Sequence, residues 1–164
     1  METLSFTDRH VTVPSSKPYE QVIKALQSVL GEGDSRSFAE MVGTTKTWDE
    51  FVREIEQRVG ESGFMIFAQM DHGAWMSHVA HHDMKGMLYV IGNPLIAKQM
   101  LEHAPEVGLY VPVRIYVHED ERSTTRIDYD EVTPIFERFG NERVNEVARE
   151  LDQKLEELAK GAAG

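Results

Sequence analysis

Leu109–Asp130, LYVPVRIYVHEDERSTTRIDYD, carries a two-residue alternation, a polar turn and a second polar-apolar run. Leu109, Val111, Val113, Ile115 and Val117 alternate with Tyr110, Pro112, Arg114, Tyr116 and His118, the two-residue period of a strand with one buried face. The polar turn EDERS then returns the chain through TTRIDYD, so the segment reads as an antiparallel hairpin. Pro112 has no N–H to give to a ladder, which puts that point at a sheet edge or a bulge.

Working back from the hairpin, MLYVIGNP (87–94) reads as a strand that runs into the helix PLIAKQMLEHA. Asn93 caps that helix, and Pro94 occupies its first turn, where a missing N–H does no harm. GFMIFAQMDH (63–72) is another apolar, strand-like run. Nearer the start, HVTVPSS (10–16) reads as a short strand ending at Pro14, with a serine cap leading into KPYEQVIKALQSVLG. There Val22, Ile23, Leu26, Val29 and Leu30 share one helical face, and Gly31 stops the helix. GEGDSRS reads as a polar linker. Phe51, Val52, Ile55 and Val59 repeat the same phases in a second helix, entered through the capping-box spacing Thr47–Glu50. The two segments superpose without gaps, Val13 to Gly31 on Val42 to Gly60, suggesting a repeated strand–loop–helix unit. Beyond the hairpin, DEVTPIFERFG carries a short apolar face. Val144, Val147, Ala148, Leu151, Leu155 and Leu158 define a longer amphipathic helix.

Strands interspersed with and followed by helices give an α+β fold: an antiparallel or mixed sheet covered by helices. The 164 residues fit a single domain, 1–164, divided into an N-terminal strand–helix unit (1–43), a core (44–130) and a C-terminal helical segment (131–164). With no cysteine, disulfides, thiolate ligands and a cysteine nucleophile are excluded. A formal charge of −11, with no Lys/Arg stripe to offset it, disfavours nucleic acid as a partner. METLSFTDRH lacks the basic-then-apolar pattern of a secretory leader, and no apolar run of roughly 20 residues offers a membrane span. The expected location is the cytoplasm.

Chemistry concentrates in MDHGAWMSHVAHHDMKGM, Met70–Met87, which holds four of the seven histidines. His72 follows a strand end, where functional side chains emerge from a rigid element. Its plainer role is a hydrogen-bonded corner histidine, with Asp71 capping the next helix. If AWMSHVAHHDM is helical, Trp75, Met76 and Val79 face inward and His78 and His82 share a face at i, i+4, a spacing that suits Zn or Cu. A solvated polar face explains the same pattern. Haem needs only one proximal histidine and an apolar pocket, which Met65, Met70, Met76, Met84, Met87 and nearby aromatics could supply beside His72 or His78; ordinary core filling uses the same residues. A general base at His72 would take its orienting carboxylate from Glu119, Asp120, Asp128 or Asp130.

FAQMDHGAWM, LYVIGNPLIAKQML, GLYVPVRIYVHED and RIDYDE, in this order over about Thr44 to Asp130, resemble the bacterial and archaeal family of domain of unknown function 302; VTVPSS looks like that family's usual start. The resemblance implies a compact α+β domain, often paired as a dimer, and brings no activity. Many relatives look to have cysteine where this chain has Gly92, and another where it has Val113, so a thiol-dependent role in them does not transfer.

Three expectations follow. The first is a homodimeric protein binding a small ligand, haem or a transition metal in a cleft around His72, with Met76, His78, Gly92 and Asn93 nearby and Pro112 with Tyr116 on the opposite wall; His78 and His82 would hold a metal. The second is a metal-free enzyme with His72 as general acid/base on a small polar substrate and Asp71 beside it in the catalytic pair; in the ligand-binding reading Asp71 caps or orients. The third is a dimeric interaction module without chemistry, paired through the Pro112 edge and the C-terminal helix.

Overall fold

Five strands among the described residues, β1 (His10–Ser15), β2 (Met65–Asp71), β3 (Gly86–Gly92), β4 (Val113–Glu119) and β5 (Thr125–Asp130), form one antiparallel sheet in the order β1-β5-β4-β3-β2. The structure is a computed structural model describing residue 3 and residues 5–164. The N-terminal reading therefore falls in part on residues 1, 2 and 4, outside the described ones. The helices are α1 (Tyr19–Val29), α2 (Ser35–Thr44), α3 (Trp48–Arg58), α4 (His72–Ala80), α5 (Pro94–Leu101), α6 (Thr133–Phe136) and α7 (Glu142–Ala163). The α+β class is as the sequence indicates. No helix among the described residues is long and apolar enough to cross a membrane.

The hairpin's alternation divides the sheet into two faces. Val113, Ile115, Val117, Ile127 and Tyr129 are buried in the core with Tyr89 and Ile91, under α1 and α7. Arg114, Tyr116, His118, Arg126 and Asp128 alternate with them and are at least partly exposed. In α7 the apolar stripe Val144, Ala148, Leu151, Leu155 and Leu158 is fully or nearly fully buried, as its spacing requires.

Several local readings change. β4 is an interior strand flanked by β3 and β5, so Pro112 marks neither an edge nor a bulge. It lies just before the strand, after a cis Val111–Pro112 bond, where its missing N–H removes nothing from a ladder. Leu109 is not on the buried face; it ends a 3-10 turn, Pro105–Leu109, and is 80% exposed. The bulge falls instead at Phe67 in edge strand β2, and Pro14 sits within the other edge strand, β1, which runs on to Ser15.

The serine does not cap α1, whose N-cap is Pro18 with no side-chain bond. Ser15 is buried and its Oγ donates to the Ala163 carbonyl at 2.7 Å, satisfying an orphan acceptor at the C-terminal end of α7. The expected linker folds into α2, because Asp34 and Ser37 form a reciprocal capping box. Val42 therefore lies in a helix while Val13 lies in a strand, and the repeat does not extend to its strand half. Its helical half is real: α1 and α3 are both 11 residues long, and the glycines that follow them, Gly31 and Gly60, are packed against each other's backbone.

The second capping box forms as its spacing predicts. Thr47 Oγ1 accepts from Glu50 N at 3.2 Å, and Glu50 Oε2 accepts from Thr47 N at 3.2 Å. Thr47→Ala removes one of these bonds and is expected to cost about 1 kcal/mol, a fall of about 2–4 °C in melting temperature for a chain of this size. An unchanged melting curve would show that α3 is held by packing alone.

Candidate functional site

The C-terminal end of β3 opens into an apolar pocket of about 520 Å³. Its position follows from chain geometry: Gly92 ends the strand, Asn93 turns the chain and Pro94 starts α5, so strand end and helix start form one wall. Asn93 Oδ1 accepts from Leu95 N at 2.9 Å, and its Nδ2 donates to the Gly63 carbonyl at 2.9 Å, which fixes that turn. Phe38 of α2, Trp48 and Phe51 of α3 and Phe67 at the β2 bulge form an aromatic wall. Phe38 and Phe67 meet edge to face at 5.1 Å, while Trp48 and Phe51 stack at 5.4 Å. Pro112 and Val113 close the side where the chain enters β4, and Met100 and Leu151 lie at the core end.

Gly92 keeps this space open. A Cβ there would stand 3.3 Å from Pro112 Cβ and 3.5 Å from Phe67 Cε2, so any side chain would project among the lining groups. Lys98 is the sole ionisable residue in the lining among the described residues; its Nζ lies 5.4 Å from the Trp48 ring centroid and pairs with Glu102. Volumes of about 300–1,000 Å³ with mostly apolar walls are usual for small-molecule sites.

The residues expected around one cleft at His72 divide between two places. Gly92, Asn93 and Pro112 line the apolar pocket, whereas His72, Met76, His78 and Tyr116 do not. Gly73, next to His72, is packed against Met84 and Gly86 at the opposite end of β3 from Gly92, six residues or roughly 20 Å away. Asp71 is the N-cap of α4, accepting from Ala74 N at 2.8 Å, and His72 Nδ1 accepts from Trp75 Nε1 at 3.2 Å. The His72 ring meets Tyr116 edge to face at 5.9 Å. Burial raises the Tyr116 phenol above its ordinary range, helped by the charges of Asp128 and Asp71.

The inward face expected for α4 is absent: Trp75 is 53% and Val79 68% exposed. Nor do His78 and His82 share a helical face. The helix ends at Ala80, His81 is left-handed at φ 52°, and His82 lies beyond the turn. Both imidazoles are exposed, and among the described residues no group of three or more His, Asp or Glu could hold a metal ion. The methionines also separate: Met65 packs with Met41 and Ile55, Met87 against the main core, and Met70 is exposed.

The carboxylate expected to orient a histidine is present, on a different histidine. Asp128 Oδ2 lies 2.8 Å from His118 Nε2, and Tyr116 stacks on His118 at 5.1 Å. The same oxygen lies 3.9 Å from His10 Nε2, while His10 Nδ1 bonds Asp130 at 2.7 Å. Register could have revealed this pairing, since His10 opposes Asp130 and Tyr116 opposes Asp128 across β5, but only once strand order was known. The bond to Asp130 and the charges of Asp128 and Asp8 raise the His10 pKa above 6.5, against a smaller opposing effect of burial. A raised folded-state value means that His10 stabilises the fold fully below pH 6.5 and loses this contribution as pH rises through the folded value. The melting-temperature gap between wild type and His10→Gln is expected to narrow from about pH 5.5 to about pH 8.5. A gap independent of pH would assign the effect to packing.

The geometry can be set beside known proteins. The crystal structure of the uncharacterized conserved protein DUF302 from Bacillus stearothermophilus is similar to this chain with a TM-score of 0.65 at 16% identity, covering 93% of this chain and 97% of that one; at this identity the likeness shows the fold. No curated protein matches. Residues 40–162 match the family described as domain of unknown function DUF302. That match takes in α3, the strands β2 to β5 and nearly all of α7, three quarters of the sequence, and the chain belongs to the DUF302 family.

Proposed function

We propose that this protein binds a small, predominantly apolar molecule in the pocket between α3, α5 and the start of β4. The observation that carries the reading is a space of about 520 Å³ walled by four aromatic side chains and held open by a glycine where a side chain would fill it. Left to water, such a surface is unfavourable by about 25 cal/mol per Å² of apolar area, and an apolar occupant recovers that free energy. Asn93, a polar side chain of the lining, has both polar atoms engaged in holding the turn, so the walls favour apolar contact.

The reading keeps the small-ligand expectation and moves it from His72 to Gly92, Asn93 and Pro112. An acid–base role for His72 has less support, because its Nδ1 accepts a hydrogen bond from the Trp75 indole N–H and Asp128 serves His118 instead. 1-Octanol, with nine heavy atoms, suits a first probe. At about 0.5 kcal/mol per atom its dissociation constant is expected near 1 mM or below. Trp48 in the aromatic wall reports occupancy through its fluorescence once Trp75 is replaced by Phe. A saturable change supports the reading, and a spectrum unmoved up to the solubility limit of the alcohol contradicts it.

A further inference from the structure

We infer that the ligand carries an anionic end, which Lys98 receives at the edge of the pocket in exchange for Glu102. The inference rests on the apolar-pocket reading and names the chemical class within it: an amphiphile with an apolar body and a carboxylate or similar head.

Among the described residues Lys98 is the single ionisable one of the lining, and Asn93 is already committed to Gly63 and Leu95. A ligand's polar end seated in this space meets donors and no acceptor among these side chains: the Lys98 ammonium, with three donors of which Glu102 engages one, and the Trp48 indole N–H. The ammonium is also placed for the task. It lies against the Trp48 ring, which keeps it beside the aromatic wall, and its present carboxylate partner is Glu102, the C-cap residue of α5.

The pairing with Glu102 is the replaceable kind. Both side chains are 45% exposed, and an i, i+4 pair at such exposure contributes only about 0.3–0.5 kcal/mol. A ligand carboxylate anchored by its own apolar body is held at high effective concentration beside Lys98 and outcompetes a free-swinging Glu102. The formal charge of −11 does not oppose this at short range, because charges more than about 8 Å away are screened at physiological ionic strength. Among the described residues no carboxylate side chain lies in the lining itself.

The test compares 1-octanol, octanoate and octylammonium on the full-length chain by calorimetry, with wild type, Lys98→Gln, Lys98→Arg and Glu102→Gln. Octanoate is expected to bind about two- to fivefold more tightly than octanol, the gain an ion pair at this exposure supplies, and octylammonium more weakly than either. Lys98→Gln is expected to erase the advantage of octanoate while leaving octanol within about twofold, Lys98→Arg to keep the advantage, and Glu102→Gln to enlarge it. Equal affinities for octanol and octanoate, unaffected at Lys98, would overturn the anionic-end inference and leave the apolar pocket standing. Tighter binding of octylammonium would overturn it in favour of a cation on Trp48. Failure of all three compounds to bind removes the pocket reading and this inference with it.

Discussion

Gly31→Ala is expected to lower the unfolding free energy by about 3 kcal/mol or more, and the melting temperature by about 6–12 °C. A Cβ at Gly31 would lie 1.8 Å from the Arg58 carbonyl oxygen and 2.8 Å from Gly60 N, and both atoms are backbone that no rotamer change can move away. Gly60 is the mirror of this position, with its own Cβ 2.2 Å from the Val29 carbonyl oxygen. The chain segments leaving α1 and α3 cross here, and the crossing is hydrogen-bonded as well as close. Gly31 N and Gly60 N both donate to the Phe64 carbonyl, at 2.8 and 2.9 Å, Ser62 N donates to Val29 and Ile66 N to Gly31. Relieving the clash would pull these bonds apart at the entry to β2. Gly43→Ala is the control: nothing stands within 4 Å of its Cβ position in α2, so the same substitution there is expected to stabilise by up to about 1 kcal/mol. Opposite signs in urea titrations of the two variants would confirm the crossing; a loss below about 1 kcal/mol at Gly31 would show that the segments can separate.

The second large effect is on binding. Gly92→Val is expected to weaken 1-octanol binding at least about tenfold, or 1.4 kcal/mol, with the fold retained. The added Cβ contacts Pro112 and Phe67 at 3.3 and 3.5 Å, tight enough to require small adjustments but not to break a strand, and valine suits a strand end. Its methyl groups then occupy the volume the ligand needs. A melting temperature within about 4 °C of wild type separates a filled pocket from an unfolded one. Undiminished affinity in this variant would place the ligand elsewhere.

Period and punctuation carried much of the architecture. The hairpin's alternation, the Asn93–Pro94 helix start, the Thr47–Glu50 box and the α7 stripe are local patterns, and each produced the element its spacing demands. The misreadings were made where a local signal had more than one solution. Pro112 can end a segment before a strand as readily as mark an edge, and Ser15 can cap the far end of another helix, 148 residues away in sequence. Asp34 carried a cap signal like that of Thr47, but the glycines around it made the segment read as linker.

The candidate site was half legible. Gly92, Asn93 and Pro112 belong together because β3 and β4 pair in register, Ile91 opposite Val113. Joining them to His72 required the two ends of β3 to be neighbours, which strand length forbids. Phe38, Trp48 and Phe51 were not read as binding residues. Their periodicity marks an apolar helix face whether that face covers a core or lines a pocket, and Trp48, at 49% exposure, is the one that betrays the difference. The histidine-rich stretch drew attention by composition, yet a left-handed residue at His81 ended its helix before the second imidazole of the pair.

A two-dimensional ¹H–¹⁵N NMR titration of the full chain with 1-octanol tests the pocket most directly. The account predicts saturable shifts at the Trp48 indole, Gly92, Ala97 and Val113, unchanged signals at Trp75 and His78, and loss of the response in Gly92→Val. Shifts centred on His72, Trp75 and Tyr116 with the Gly92 signals unmoved, or none at all, would contradict it.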